Sequence, residues 1–135
     1  MAYGRGYSGT PLEGIKASAD LSSYQWHFVK MAGTSNTYDY QVTVCAATTD
    51  QIVGVLMNKP NAAGKPAEVL SFGSVAKVLA GGTINCGASV TTDASGHAVT
   101  ASGTDTKVVG IALTYGVSAD YISVLLTAGG LTQGT

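Results

Sequence analysis

Apolar and polar residues alternate with a period of two along most of the chain, and runs with a helical period are nearly absent. The sequence therefore predicts an all-β domain. Residues 24–29, Tyr-Gln-Trp-His-Phe-Val, place Tyr24, Trp26 and Phe28 on one face of an expected strand and Gln25 and His27 on the other. On that pattern His27 points outward or toward a partner. Residues 40–46 alternate Val42 and Val44 with Thr43 and Cys45. Residues 50–57 contain the unbroken run IVGVLM, which predicts a strand buried on both faces and the best candidate for the centre of a sheet.

Proline and glycine punctuate the rest. NKPNAAGKP at 58–66 reads as a loop. Residues 67–80 read as a strand interrupted at Gly73 by a bulge or a tight corner. A short strand around Ile84 lies between the pair Gly81–Gly82 and the single Gly87, and a hairpin follows at 89–100, where Asp93, Ala94, Ser95 and Gly96 form the turn and Gly96 takes the left-handed position. Residues 107–115 and 121–127 bring the total to about nine short strands. Residues 17–23 and 116–120 are each compatible with a loop or a single helical turn. No repeat recurs at a period of about 20–50 residues, which leaves a compact barrel or sandwich.

The ends lack a usable period. Residues 1–16 hold four glycines, two tyrosines and a proline and read as a flexible N-terminal arm. Residues 17–127 form the β-rich domain, and residues 128–135 a Gly-rich tail.

Composition narrows the function classes. A chain of 135 residues is one domain, long enough to bury a core without disulfide or metal staples. Of these residues 64 are Gly, Ala, Ser or Thr, which suits thin layers and tight turns. Charged residues make up only 11%, against about a quarter in an ordinary domain, so much of the surface is expected to be contact surface. The net charge of −1 is spread singly, with no stripe to neutralise phosphates or anionic lipid, so neither nucleic acid nor membrane is an expected partner. The N-terminus lacks the apolar stretch of a secretory signal, and the runs VVGIAL and ISVLL are far too short to span a bilayer. Synthesis in a cytoplasm is expected.

Candidate chemistry is sparse. Cys45 and Cys86 lie in apolar or Gly-rich surroundings without metal-ligand spacing and are expected to be reduced packing cysteines. Gly4, Gly6 and Gly9 match G-x-G-x-x-G but lack the preceding strand and following helix of a dinucleotide site. Ser74 and Lys77 form S-x-x-K in a β pattern, which sets them on opposite faces rather than on one helical face. Asp93, Ser95 and His97 hold the residue types of a triad across a tight turn that explains them better. No catalytic, cofactor-binding or metal-binding residue is therefore nominated, and the chain is expected not to be an enzyme. Tyr3, Arg5, Tyr7, Pro11 and Leu12 are candidate contact residues of an arm that could add a strand to a neighbouring sheet. Tyr24, Trp26 and Phe28 are candidate core or contact aromatics. In a rival reading Tyr24, Trp26 or Tyr38 would serve as stacking platforms for a small ligand or carbohydrate.

Three segments in order, ADLSSYQWHFVKM at 19–31, VGVLMNKP through SGHAVTA at 53–101, and VVGIALTYGVSADYISVLL at 108–126, resemble the head decoration, or cement, proteins of tailed bacteriophages. The resemblance implies a small β-tulip of the lambda-decoration type, commonly a homotrimer, with the major capsid protein as partner and no cofactor. It further implies a place on the outer capsid surface of the virion, taken up after the shell expands. The arm departs from the family pattern, so its residues are not carried over.

Overall fold

The computed structural model describes residue 9, residues 11–102 and residues 107–132, with side chains through residue 127. Tyr3, Arg5 and Tyr7 lie outside the described residues. The domain is all-β, as the periodicity predicts: the described residues form ten strands in two five-stranded sheets.

Sheet 1 is built from the first half of the chain: β1 (Lys16–Ala17), β2 (Phe28–Met31), β3 (Gln41–Val44), β4 (Ile52–Leu56) and β5 (Val69–Leu70), in the order β1-β3-β2-β4-β5. All pairings are antiparallel except the short β1–β3 contact. Sheet 2 is built from the second half: β6 (Val75–Leu79), β7 (Ser89–Thr92), β8 (Ala98–Thr100), β9 (Lys107–Ala112) and β10 (Tyr121–Thr132), in the order β6-β10-β9-β7-β8.

The two sheets face one another across the main core. Phe28, Val55 and Leu70 from sheet 1 meet Val78, Val90, Ile122, Val124 and Leu126 from sheet 2. Because side chains alternate along a strand, the neighbours Val29, Leu56 and Val69 point to the other face of sheet 1. There they form a second core with Ile15, Ala17, Leu21 and Val42. Sheet 1 is thus buried on both sides, which is why IVGVLM shows no polar alternation.

The N-terminal stretch closes that second core through backbone bonds as well as side chains. Pro11 bridges to Leu70. The Leu12 amide donates to Val69 O at 2.8 Å, the Ala67 amide to Ile15 O at 3.0 Å, and the Lys16 amide to Tyr40 O at 2.8 Å.

Two glycines mark positions a side chain would resist. Gly73, at φ +89°, turns the chain from β5 in sheet 1 into β6 in sheet 2, so the expected interruption of 67–80 is a corner between layers. Gly96, at φ +81°, closes the β7–β8 hairpin where it was expected.

Residues 24–27 depart from the expected strand, which begins only at Phe28. The Tyr24 amide donates to Leu21 O at 3.0 Å and the His27 amide to Tyr24 O at 3.1 Å, bonds that close turns rather than a ladder. Trp26 takes φ +68°, uncommon for a bulky residue, and its amide donates to Leu56 O at 2.6 Å. The three aromatics consequently share no face. Phe28 fills the main core, Tyr24 packs on the second core, and Trp26 lies beside β6. β10 also runs five residues beyond the expected end at 127, resuming its pairing with β9 at Leu131 and Thr132 after a register shift.

Candidate interaction surfaces

The outward face of sheet 2 carries apolar side chains that are exposed among the described residues. Antiparallel registers align Val75, Leu125, Ile111 and Ser89 in one row across β6, β10, β9 and β7. Tyr121 stands opposite Leu79, and Ser123 opposite Lys77. Ile111, Leu113, Tyr115, Val117 and Tyr121 are all exposed, and they come from β9, β10 and the turn between them. Clustered apolar exposure of this kind marks contact surfaces more than scattered single residues do.

Lys77 on that face is held by aromatic rings. Lys77 Nζ lies 5.2 Å from the Trp26 ring centre and 4.7 Å from that of Tyr121. The negative ring faces attract the ammonium, and the stack keeps its position fixed on the sheet. Trp26 therefore serves this surface through Lys77, a role its alternation with Phe28 does not reveal.

A second concavity, about 620 Å³, lies at the β2–β3 end of sheet 1. Leu12, Ile15, Met31, Tyr38 and Tyr40 supply its apolar walls, with Asn36 and Asp39 among its polar groups. A single 3₁₀ turn, Asn36–Tyr38, presents the Tyr38 ring, which packs directly over Gly33. Of the three aromatics expected as stacking platforms, Tyr38 alone lines this groove. Pro11 and Leu12, expected as arm contacts, lie along β5, with Leu12 on the rim of the groove.

The two histidines meet at the seam between the sheets, with ring centres 4.8 Å apart. His27 is only 7% exposed, so it does not point outward as the alternation implied. The turn ending at Trp26 redirects it inward, edge-on to Tyr24 at 5.5 Å. Burial lowers its pKa, the Gln25 carbonyl bond opposes that shift, and nearby His97 reinforces it.

Residues considered for catalysis do not converge. Ser74 is buried, whereas the Lys77 ammonium sits between the two rings. Asp93 Oδ1 accepts from the Ser95 amide at 2.8 Å and the His97 amide at 2.9 Å, an arrangement that organises the hairpin turn. Among the described residues, no three His, Cys, Asp or Glu side chains group as a metal site needs. No described helix is long and apolar enough to cross a membrane.

The cysteines occupy different environments. Cys45 is buried, and desolvation, helped by the nearby Asp50 carboxylate, pushes its thiol up to about 12. Burial would also raise Asp50, but the Ala46 amide, Lys30 and the Ala47 amide together hold it below the ordinary carboxylate range. Cys86 is exposed rather than packed inside, its thiol donating to Leu113 O at 3.4 Å. A thiol reagent at about pH 8 is therefore expected to label Cys86 within minutes and Cys45 only on denaturation. Equal labelling rates in the native protein would contradict the burial of Cys45.

No protein-family model matches the chain, and no curated protein matches it. Among solved structures, it is similar to the head fiber gp8.5 N base of bacteriophage phi29. The TM-score is 0.65 at 16% sequence identity, covering 88% of this chain and 95% of the other. The likeness is one of fold.

Proposed function

We propose that this protein is a structural component of a phage head, a decoration subunit that binds the outer surface of the expanded major-capsid shell and stabilises it against internal pressure. The observation that carries the reading is the fold shared with a phage head fiber base over nearly the whole of both chains. The bare apolar face of β6, β10 and β9 supports it, because an almost uncharged sheet face docks without the large desolvation cost of buried charges. A homotrimer would present several such faces at once, so modest contacts would add up through effective concentration. The role is structural rather than catalytic.

Purified protein mixed with expanded shells lacking it is expected to bind saturably and to raise the temperature at which the shells lose integrity. Ile111→Glu combined with Leu125→Glu is expected to weaken binding at least tenfold while the domain stays folded, each buried unpaired charge costing more than about 1.4 kcal/mol. Absence of saturable binding by the unmodified protein would overturn the proposal. Deleting residues 1–8 tests the arm separately, because it leaves the backbone bonds of Leu12 and Lys16 intact.

A second reading, a small-ligand or carbohydrate-binding module of a phage appendage, is favoured by the groove lined by Tyr38 and Tyr40. Aromatic faces beside amide and carboxylate groups suit a sugar ring. Saturable quenching of tyrosine emission by an oligosaccharide, lost in Tyr38→Ala, would move the assignment to this reading.

A further inference from the structure

The chain has two histidines, one in each half of the sequence, and the fold brings them face to face. His27 immediately precedes β2 of sheet 1; His97 immediately precedes β8 of sheet 2. At the same place the Phe28 amide donates to Gly96 O at 2.8 Å, tying the hairpin to the start of β2. The fit is close: a Cβ at Gly96 would stand 2.6 Å from Val44 Cγ2 and 3.3 Å from His27 Cβ.

The protonation chemistry of His27 is set by its neighbours. Its Nδ1 lies 3.0 Å from Gln25 O, and a carbonyl only accepts, so Nδ1 carries the hydrogen and acid adds its proton at Nε2. The titratable groups facing the ring are His97 and Asp93 from the hairpin and Tyr24 from its own turn. β4 and β3, which meet this site through Leu56 and Val44, carry no charged side chain. Lys30 of β2 is engaged by Asp50 at 3.0 Å. Asp93 Oδ2 lies 3.5 Å from His97 Nδ1 and can offset one added charge there. A second positive charge, on the buried His27 ring, has no carboxylate of its own.

We propose that the His27–His97 contact is a pH-sensitive catch, and that acidification loosens the β7–β8 hairpin tip from the start of β2. Two imidazolium rings with centres 4.8 Å apart repel, and the buried ring loses hydration that an unfolded chain would supply. The sign follows from the lowered folded-state pKa of His27: the unfolded chain binds more protons, so stability is full above about pH 6.5 and falls as pH drops through the folded value. Loosening starts locally, because the Phe28–Gly96 bond is the backbone link beside the two rings. This inference stands independently of the proposed capsid role.

Proton NMR of the full chain from about pH 8 to pH 4 tests it, following both histidine ring signals together with amide exchange at Phe28 and Val124. His27 is expected to titrate below about 6.5, and Phe28 protection, corrected for intrinsic exchange, to fall about tenfold or more on acidification while Val124 keeps its own. His97→Gln is expected to raise the His27 titration point by removing the neighbouring cation. His27→Gln is expected to make Phe28 protection independent of pH, and should that variant not fold, His97→Gln and the unmodified chain still decide the matter. Titration of His27 at or above about 6.5, or Phe28 protection unchanged across its titration, would overturn the proposal.

Discussion

Phe28→Ala is expected to lower the unfolding free energy by about 3–5 kcal/mol, the largest loss for a single side-chain truncation in this domain. Phe28 is the largest of the fully buried side chains and lies in the layer between the sheets. Its backbone is held as well, the Phe28 amide by Gly96 O and its carbonyl by the Cys45 amide at 3.0 Å. The cavity left by the ring therefore cannot close by a simple shift of β2, and the lost contacts stay lost. Urea denaturation followed by far-ultraviolet circular dichroism measures the effect, with the midpoint falling and the slope unchanged. Val29→Ala, one residue along in the smaller second core, removes fewer atoms and is expected to cost less. A loss below about 1 kcal/mol for Phe28→Ala would mean that the two sheets do not depend on this ring.

Gly54→Val is expected to cost about 3 kcal/mol or more through overpacking rather than a cavity. Gly54 lies inside β4 opposite Val29, and a Cβ there would fall against the Leu70 carbonyl oxygen and 2.6 Å from Val69 Cγ1. Relief requires β5 to move. β5 has only two residues, and Pro11 and Leu12 are attached to its other side, so the disturbance travels to the segment that closes the second core. Amide exchange at Leu12 and Met57, whose hydrogen bonds run to Val69 and Glu68, should accelerate with the loss of stability. Gly82→Ala is the control, since a Cβ there meets nothing within 4 Å. Equal unfolding midpoints for the two variants would contradict the close approach of β4 and β5.

Much of the layer structure was legible because burial leaves a direct mark on composition. IVGVLM has no polar alternation, and the structure covers β4 on both faces. Asp93 to Gly96 carries the turn chemistry of a hairpin, and the hairpin is there. Residues 24–27 misled because alternation records side-chain type and not backbone path. Turn bonds through Leu21 and Tyr24, with Trp26 at positive φ, send three alternating aromatics to three environments.

The candidate surfaces were less legible for the same reason. Ile111, Leu113 and Tyr121 are exposed and uncharged, but Lys77 beside Tyr121 is held by Trp26 from a distant segment. The groove at Tyr38 depends on a 3₁₀ turn that the sequence pattern did not mark. The His27–His97 meeting depends on the two halves of the chain closing on each other.

That division of the sheets along the chain also fixes a timetable. Every strand of sheet 1 lies at or before Leu70, and every strand of sheet 2 at or after Val75. During synthesis, sheet 1 is complete while β10, the strand between β6 and β9, has yet to leave the ribosome. For that interval Phe28, Val55 and Leu70 face solvent, and β6 waits for a partner more than 40 residues downstream. The nascent domain is thus most vulnerable to aggregation just before β10 emerges, and that strand acts as the closing step of the domain's own assembly.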